Sequence, residues 1–260
     1  MGAQFDKAVS LAELTKYGRK CCANGVGNKT GPAEWRFTAL TSGKRLKDEI
    51  TSGRYHLRKG NTVIITRPKL RVATAPWYRD RVWQRSMCEN GVYNDLTADS
   101  CWESMACQKG KGTDKAIRAV IEMLQELHLR KPGATVWGKH LDIRKFFPST
   151  PQESVKSMDR EKITEPLFLP YLDEIVDSQK DSRTLEAIAS DPFGKRGTGL
   201  GSQINQLHQV TLLDEIDREV LCELTTYLRY NDDFLLLGHD KEQIKKDGGK
   251  DQRKTRRDGA

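Results

Sequence analysis

Apolar and polar positions along the chain follow two periods, which predicts a mixture of strands and helices. Strand-like runs are short and rich in aliphatic or aromatic residues, and they cover residues 62–66, 67–76, 135–143 and 227–237. Helix-like runs repeat apolar residues every three or four positions, and they cover residues 78–96, 114–129, 151–180 and 204–224. The first sixty residues combine short helical patterns with a Gly-rich break at 24–32, and no internal repeat is visible.

The helix predicted at 114–129 has a continuous apolar side. Its members are Ile117, Val120, Ile121, Leu124 and Leu127. Asp114 stands at the start of the run, where it is expected to cap the helix N-terminus. We therefore expect this whole side to pack in the core.

The strand predicted at 135–143 has two chemically different sides, because side chains alternate along a strand. Leu141 and Ile143 fall on one side and can face a helical layer, whereas Asp142 falls on the other. His140 shares the side of Asp142 and is expected to be structural rather than a ligand. Asp142 is expected to point into an open cleft.

Residues 227–238, YLRYNDDFLLLG, predict a β-hairpin with two acids at its turn. Two apolar arms enclose the polar triplet Asn231-Asp232-Asp233. A tight turn alone would explain these residue types, because Asn and Asp tolerate the backbone angles that such turns need.

The charge of the chain favours an anionic partner without demanding one. Among 260 residues, 44 Lys and Arg face 36 Asp and Glu, which gives a formal net charge of +8, and residues 239–260 contribute +3 of it. None of the six cysteines forms a CxxC pair, and no apolar run approaches the about 20 residues of a membrane helix. The N-terminus lacks a signal-peptide core, so we expect a cytoplasmic protein with free thiols and no membrane partner.

Two basic segments are candidates for binding phosphates. Arg67, Lys69 and Arg71 alternate, so they would share one face of a β-ribbon, with a solvated strand face as the alternative. Lys109 and Lys111 lie in the Gly-rich segment QKGKGT, which would contact nucleic-acid phosphates or form an ordinary flexible loop.

Asp142 and the hairpin acids, 90 residues further along the chain, can share one cleft. Clustered ionised carboxylates repel one another unless cations neutralise them. Oxygen-only ligands with open positions suit Mg²⁺, and two such ions about 4 Å apart can activate a hydroxyl and stabilise a leaving pyrophosphate. The acids would then be metal ligands rather than a general acid/base pair.

Three segments in this order, KHLDIRKFFPS, GTGLGSQINQ and YLRYNDDFLLL, resemble the successive palm motifs of reverse transcriptases. The bacterial and phage group that includes retron, group II intron and diversity-generating retroelement enzymes is the most similar in motif form. RPKLRVATAPWYRDRVWQRSM and SMACQKGKGTDKA resemble the fingers segments of the same group. The resemblance implies an α+β right-hand polymerase with a ferredoxin-like palm, in which an antiparallel sheet is backed by helices. The implied regions are an N-terminal helical region (1–60), fingers (61–133), palm (134–240) and a disordered basic tail (241–260).

The resemblance also implies roles for single residues. Asp142, the carbonyl of Ile143 and Asp232 would bind the metals, and Asp233 would support the metals or the primer terminus. Phe147, five residues after Asp142, falls at the steric gate that would exclude a ribose 2′-hydroxyl and favour deoxynucleotides. Core packing is the alternative for this aromatic residue.

The remaining implied contacts are with the nucleotide and with the template and primer. The nucleotide set is Arg67, Lys69, Arg71, Phe147, Leu200, Gly201 and Gln203, with Arg71 the favoured triphosphate ligand. The template and primer set is Lys109, Lys111, Gln206 and Tyr230. Leu200 stands where the familiar Leu-Pro-Gln-Gly motif has Gln, so nucleotide positioning would rely on backbone groups near Gly201. Breaking the start of a helix is the alternative role for that glycine.

The end of the chain departs from the family pattern. Only 27 residues follow Asp233, and the last of them, KKDGGKDQRKTRRDGA, are polar and without apolar periodicity. We therefore expect the thumb to be missing or separately encoded, and processivity to be poor.

Two functions follow from the resemblance. The first is an RNA-directed DNA polymerase that uses dNTPs, an RNA template, a DNA or RNA primer and two Mg²⁺ ions, with Mn²⁺ as a substitute. The second is a catalytically feeble remnant that binds RNA or an accessory protein. An RNA-templated RNA polymerase is a third, weaker alternative.

Overall fold

The computed structural model describes residues 2–21, 30–67, 71–143, 146–178, 195–198, 201–223 and 226–245. The protein combines helices with small antiparallel sheets, which confirms the predicted mixture of elements. The chain divides into two units, residues 1–98 with 150–207 and residues 99–149 with 208–260. In the described part, no helix has both the length and the apolar character needed to cross a membrane.

The elements have the following bounds. The helices are α1 (Ala3–Ala8), α2 (Leu11–Cys21), α3 (Thr30–Thr51), α4 (Tyr78–Met87), α5 (Tyr93–Thr97), α6 (Thr113–Arg130), α7 (Phe146–Ser149), α8 (Gln152–Lys162), α9 (Leu169–Asp177), α10 (Gln203–Leu212) and α11 (Asp214–Glu223). The strands are β1 (Asn61–Ile65), β2 (Arg71–Ala75), β3 (Trp137–Asp142), β4 (Tyr227–Tyr230) and β5 (Asp233–Gly238).

An aromatic cluster forms the centre of the first unit. Trp83 of α4 is 1% exposed and contacts Phe5 of α1 and Tyr171 of α9, with ring centroids 6.0 Å and 5.3 Å away. Both contacts are edge-to-face, the arrangement that the ring quadrupoles favour. The cluster therefore joins helices that are far apart in sequence into one core.

The basic stretch after residue 61 forms a hairpin rather than one continuous ribbon. β1 pairs with β2 in antiparallel fashion, with Ile65 opposite Arg71. Arg67 lies in a bend after β1, and Lys69 lies outside the described residues. The prediction that Arg67 shares a strand face with Arg71 was therefore wrong, because Arg67 lies outside both strands.

Two predicted helices are interrupted. A π-helical segment, Cys88–Val92, separates α4 from α5 in the run predicted as one helix at 78–96. The helix predicted at 204–224 ends at Leu212 and begins again at Asp214. The apolar period continues across both breaks, so it did not reveal them.

Helix α6 buries only part of the predicted apolar side, because Leu127 is buried and Val120 packs against a core cluster while the other three members are exposed. Ala116, Ala119 and Leu127 are buried, whereas Ile117, Ile121 and Leu124 are 55%, 48% and 41% exposed. The two alanines pack against Leu228 of β4 and Met105, because small side chains allow close approach. Asp114 lies in the first turn, but the N-cap is Gly112 and no side-chain cap bond forms, so the capping prediction was also wrong.

The second unit contains a three-stranded antiparallel sheet in the order β3-β5-β4. One face of this sheet packs on a core of Leu213, Tyr227, Phe234, Leu236 and Ile244. Leu141 and Ile143 pack against the same core, as their positions along the strand predict. This packing leaves Asp142 on the opposite side of β3.

Candidate active site

The predicted acids come together at one end of the three-stranded sheet. Asp142, the last residue of β3, lies directly opposite Asp233, the first residue of β5. The N–H of Ile143 donates to the carbonyl of Asp232 at 3.3 Å. Asp142 and Asp233 are exposed, and Asp232 is partly exposed. The fold thus joins two segments that are 90 residues apart in sequence.

A two-residue turn presents Asp232. β4 ends at Tyr230 and β5 begins at Asp233, so Asn231 and Asp232 form the turn between them. Asn231 has a φ of 56°, in the left-handed region that Asn adopts more readily than most residues. The Asn of this motif therefore has a backbone reason, independent of any chemistry.

A buried arginine supports the hairpin from the core side. Both Arg229 and Asp217 of α11 are 0% exposed, and the guanidinium makes two hydrogen bonds to that carboxylate. It also donates to Asp214 at 3.3 Å and to the carbonyl of Asn231 at 3.1 Å. Arg229 thus connects the helix behind the sheet to the turn that carries Asp232.

The burial of Arg229 has an electrostatic consequence and a sequence signature. Burial by itself would lower the pKa of Arg229, but the hydrogen bond and charge of Asp217 outweigh it, so the pKa is raised.

Sequence reasoning missed the buried group of Arg229, Asp214 and Asp217. The available signals were a cation at the core-facing position between Leu228 and Tyr230, and two acids three residues apart, Asp214 and Asp217.

His140 has a polar partner at the acidic end of the sheet. Its Nε2 lies 2.9 Å from Oδ1 of Asp233, and both side chains are more than half exposed. His140 and Asp142 share one side of β3, which explains how the ring reaches Asp233 diagonally across the two strands. Asp233 therefore has a nitrogen neighbour that sequence reasoning did not assign to it.

Tyr230 anchors the hairpin to α6. Its hydroxyl and that of Thr113 are 3.0 Å apart, and its ring packs against the cluster that contains Ala116 and Ala119. These contacts are structural, and the template or primer role of Tyr230 stays a prediction.

Lys111 closes its own loop. Its ammonium donates to the carbonyls of Cys101, Trp102 and Ser104 at 3.0, 2.9 and 2.8 Å. Burial, reinforced by the neighbouring Lys115, lowers the pKa of Lys111. Because all three N–H groups have partners inside the loop, the structure shows a loop-closing role for Lys111. Lys109 lies exposed in the same loop.

Gly201 of the middle motif sits tightly against the first unit's β-hairpin. It has a φ of 124°, and a Cβ there would lie 2.3 Å from the carbonyl oxygen of Thr74. A glycine is therefore required for close backbone approach within the protein.

The residues that follow Gly201 dock on α4. Ser202 donates to Oε1 of Gln84 at 3.0 Å. Gln203 accepts from Arg85 at 2.9 Å, and its Nε2 lies 3.3 Å from Sγ of Cys88. The Gln203 amide thus has two partners within its own unit. Gln206 is exposed on α10, and Leu200 lies outside the described residues.

The two phenylalanines of α7 differ in their packing. Phe146 packs against the core under the sheet, whereas Phe147 is half-buried and does not belong to that cluster. Their rings meet edge-to-face with centroids 6.1 Å apart. The core alternative therefore describes Phe146, and the gate role of Phe147 stays a prediction.

The donor atoms at the end of the sheet suit Mg²⁺ by type, because Asp142, Asp232 and Asp233 offer only oxygens. Across the described ranges, no three acidic, His or Cys side chains already converge as a metal-binding group. The residue types and the strand register therefore fit a divalent ion, while the side chains do not form a closed cage around one.

No family model and no curated protein matches this chain. Among solved structures, it is similar to a partial Cas6-RT-Cas1–Cas2 complex, with a TM-score of 0.49 and 15% identity over 91% of this chain and 38% of that chain. The corresponding Cas6-RT-Cas1–Cas2 complex gives a TM-score of 0.49 and 15% identity over 91% of this chain and 24% of that chain.

A third similar structure is apo telomerase from Candida Tropicalis truncated from its C-terminal domain. It gives a TM-score of 0.49 and 13% identity over 78% of this chain and 49% of that chain. This chain spans less than half the length of each of the three. The functional assignment therefore rests on the motifs and the geometry of the site.

Proposed function

We propose that the chain is a nucleotidyltransferase of the reverse-transcriptase type, which adds deoxynucleotides to a primer 3′-hydroxyl on an RNA template. The observation that carries the proposal is the register of the sheet. Asp142 lies opposite Asp233, and the N–H of Ile143 is bonded to the carbonyl of Asp232. Motifs that resemble a polymerase palm in sequence are thus adjacent in space.

The arrangement of charges supports the proposal. Like charges directly opposite each other on neighbouring strands destabilise a sheet, so a pair such as Asp142 and Asp233 has a cost without a compensating cation. Bound divalent ions would neutralise the acids, activate the primer hydroxyl and stabilise the leaving pyrophosphate. Asp142 and Asp232 would hold these ions, with the Ile143 carbonyl beside them. Asp233, whose partner is His140, would support them from the adjoining strand.

The substrate contacts follow the same proposal. Phe147 would act as the gate against ribonucleotides, since its ring remains half-buried outside the core. Arg71 would bind the triphosphate, with Arg67 and Lys69 nearby in sequence. Leu200 and Gly201 would lie beside the nucleotide through their backbone groups.

A primer-extension assay tests the proposal. On primed poly(rA) with dTTP and Mg²⁺, Asp142→Asn and Asp232→Asn are expected to lower extension by about 100-fold or more, because each removes a carboxylate that would hold the divalent ions. Glu122→Gln, an exposed change on α6, is the matched control and should extend like wild type. Mn²⁺ binding measured by calorimetry should weaken in the two Asp variants and not in the control. Unaltered extension in both Asp variants would contradict the proposal.

A catalytically feeble, RNA- or protein-binding remnant is the second candidate. It is favoured by the internal bonding of Lys111 and Gln203, to which the resemblance assigns template and nucleotide contacts. Wild-type protein that retains RNA but extends no primer, with or without an added thumb-containing partner, would support this candidate over the first.

A further inference from the structure

A groove in the first unit is lined mainly by charged side chains. It has a volume of about 760 Å³ and lies between α3, the segment 54–58 and α4. Its cations are Lys44, Arg45, Arg54, Arg58 and Arg79, against two acids. Because seven of its ten lining residues are charged, the groove suits a charged ligand better than an apolar one.

The floor of the groove is held rigid by Arg79. Its guanidinium donates to Glu49 and to the carbonyl of His56, both at 2.6 Å, and to Asp80 at 3.1 Å. Asp80 is fully buried and also accepts the backbone N–H of Arg58 at 3.2 Å. The charge of Glu49 is thereby neutralised within the protein, and the backbone of the adjoining segment is fixed.

The rim of the groove keeps its positive charge. Lys44, Arg54 and Arg58 are exposed, and none of them forms an ion pair with any residue in the described ranges. Arg45 differs, because it lies 3.4 Å from Glu49. Unpaired cations around a concave surface concentrate positive potential there, which attracts a ligand with repeated negative charges.

An exposed aromatic ring stands beside this rim. Trp77 is 43% exposed, and its Nε1–H donates to the carbonyl of Lys59 at 2.7 Å, which fixes the ring. The guanidinium of Arg58 lies over the ring, 5.9 Å from the centroid. A fixed aromatic face next to cations is the combination that binds single-stranded nucleic acid, through base stacking and phosphate contacts.

We propose that this groove binds a nucleic-acid single strand, with phosphates on Lys44, Arg54 and Arg58 and a base stacked on Trp77. None of the residues of this site belongs to the acidic end of the sheet, and the site requires no metal. This proposal can therefore be tested independently of the polymerase proposal.

The test measures binding of a fluorescent oligouridylate by anisotropy in EDTA, so that no polymerisation takes place. The variant replaces Lys44, Arg54 and Arg58 with Gln. The matched control replaces Arg19, Lys20 and Arg36, which are exposed cations of α2 and α3 that do not line the groove. Both triple variants lower the net charge equally, so any difference in affinity between them is caused by the groove residues.

Three phosphate contacts on a single strand contribute about 2 to the slope of log affinity against log salt. Wild type should therefore lose about 20-fold more affinity than the groove variant between about 50 and 200 mM salt. The control should keep the wild-type slope. Equal slopes for wild type and the groove variant, or an equal decrease in the control, would overturn the proposal.

Trp77→Leu tests the assignment to single strands. It should weaken binding of the oligouridylate and leave duplex binding unchanged, with the fold checked by circular dichroism. Binding of polyglutamate as tight as that of the oligonucleotide, with no effect of Trp77→Leu, would show a general polyanion site and overturn the nucleic-acid assignment. Asp142→Asn should bind the oligonucleotide like wild type, even if it abolishes extension.

Discussion

Replacing Arg229 with Met tests whether the buried charge network holds the acidic hairpin in place. Arg229, Asp214 and Asp217 are all 0–1% exposed, so the arginine is the cation that compensates two carboxylates inside the core. The change removes two hydrogen bonds to Asp217, one to Asp214 and two to backbone carbonyls, those of Val210 and of Asn231 in the turn. Met is unbranched and of similar volume, so much of the packing is kept while the charge is lost.

The expected loss is a large part of the total stability. Removing one partner of a buried ion pair costs about 3–5 kcal/mol, because the remaining charge is left without compensation. A domain of this kind has a free energy of unfolding of about 5–15 kcal/mol. Neutralising the acids as well, by Asp214→Asn and Asp217→Asn in the same chain, should recover about 2 kcal/mol or more, because no buried charge then remains.

Urea unfolding followed by circular dichroism gives the free energies directly. Tyr227→Phe is the matched control, since it removes one hydroxyl that donates to Asp217 and leaves every charge in place, at about 1 kcal/mol. A loss below about 1 kcal/mol for Arg229→Met, or a triple variant no more stable than the single one, would refute the reasoning.

Three further predictions concern other parts of the molecule. Gly201→Ala should cost more than Gly133→Ala in urea unfolding: both positions have positive φ, about 1–3 kcal/mol of strain, but only at Gly201 does a Cβ meet backbone, and equal losses would contradict this. Burial raises the pKa of Asp80, so the contribution of this carboxyl to stability is present below the ordinary carboxyl pKa and is lost as the pH rises through its pKa in the folded protein. The free energy of unfolding of Asp80→Asn should therefore rise relative to that of wild type over this pH range. A difference between the two proteins that does not change with pH would contradict this. Phe147→Ala should widen ribonucleotide incorporation with little loss of stability, whereas Phe146→Ala should mainly destabilise, and the opposite pattern would remove the gate assignment.

The hairpin of β4 and β5 and the strand β3 were predictable from local features of the sequence. The apolar arms around Asn231 specify two paired strands, and the left-handed backbone of Asn231 accounts for the turn residue itself. In β3, the alternation that places Leu141 in the core also places Asp142 opposite it. Short-range period and turn chemistry act within a few residues, so they can be read from the chain directly.

Long-range contacts account for the predictions that failed. The buried side of α6 is set by Ala116 and Ala119, which allow β4 to approach, and not by the larger residues Ile117 and Ile121. Lys111 resembled a phosphate ligand in sequence, but the carbonyls that it binds are arranged only by the folded loop. The spacing of apolar residues shows which side of a helix is apolar, whereas tertiary packing decides which of its residues are buried.

The charged side chains on the two faces of the three-stranded sheet have different surroundings, and this difference bears on the proposed function. On the core side, the guanidinium of Arg229 is bonded to both Asp214 and Asp217 within the protein. On the other side, Asp142 and Asp233 lie opposite each other in solvent, and the bond to His140 reaches only Asp233. The buried cation of the hairpin, Arg229, is thus bonded to the core acids and to the backbone of the turn. It does not compensate the exposed pair, and among the described residues only His140 approaches that pair, at Asp233. The proposed divalent ions would supply further positive charge there.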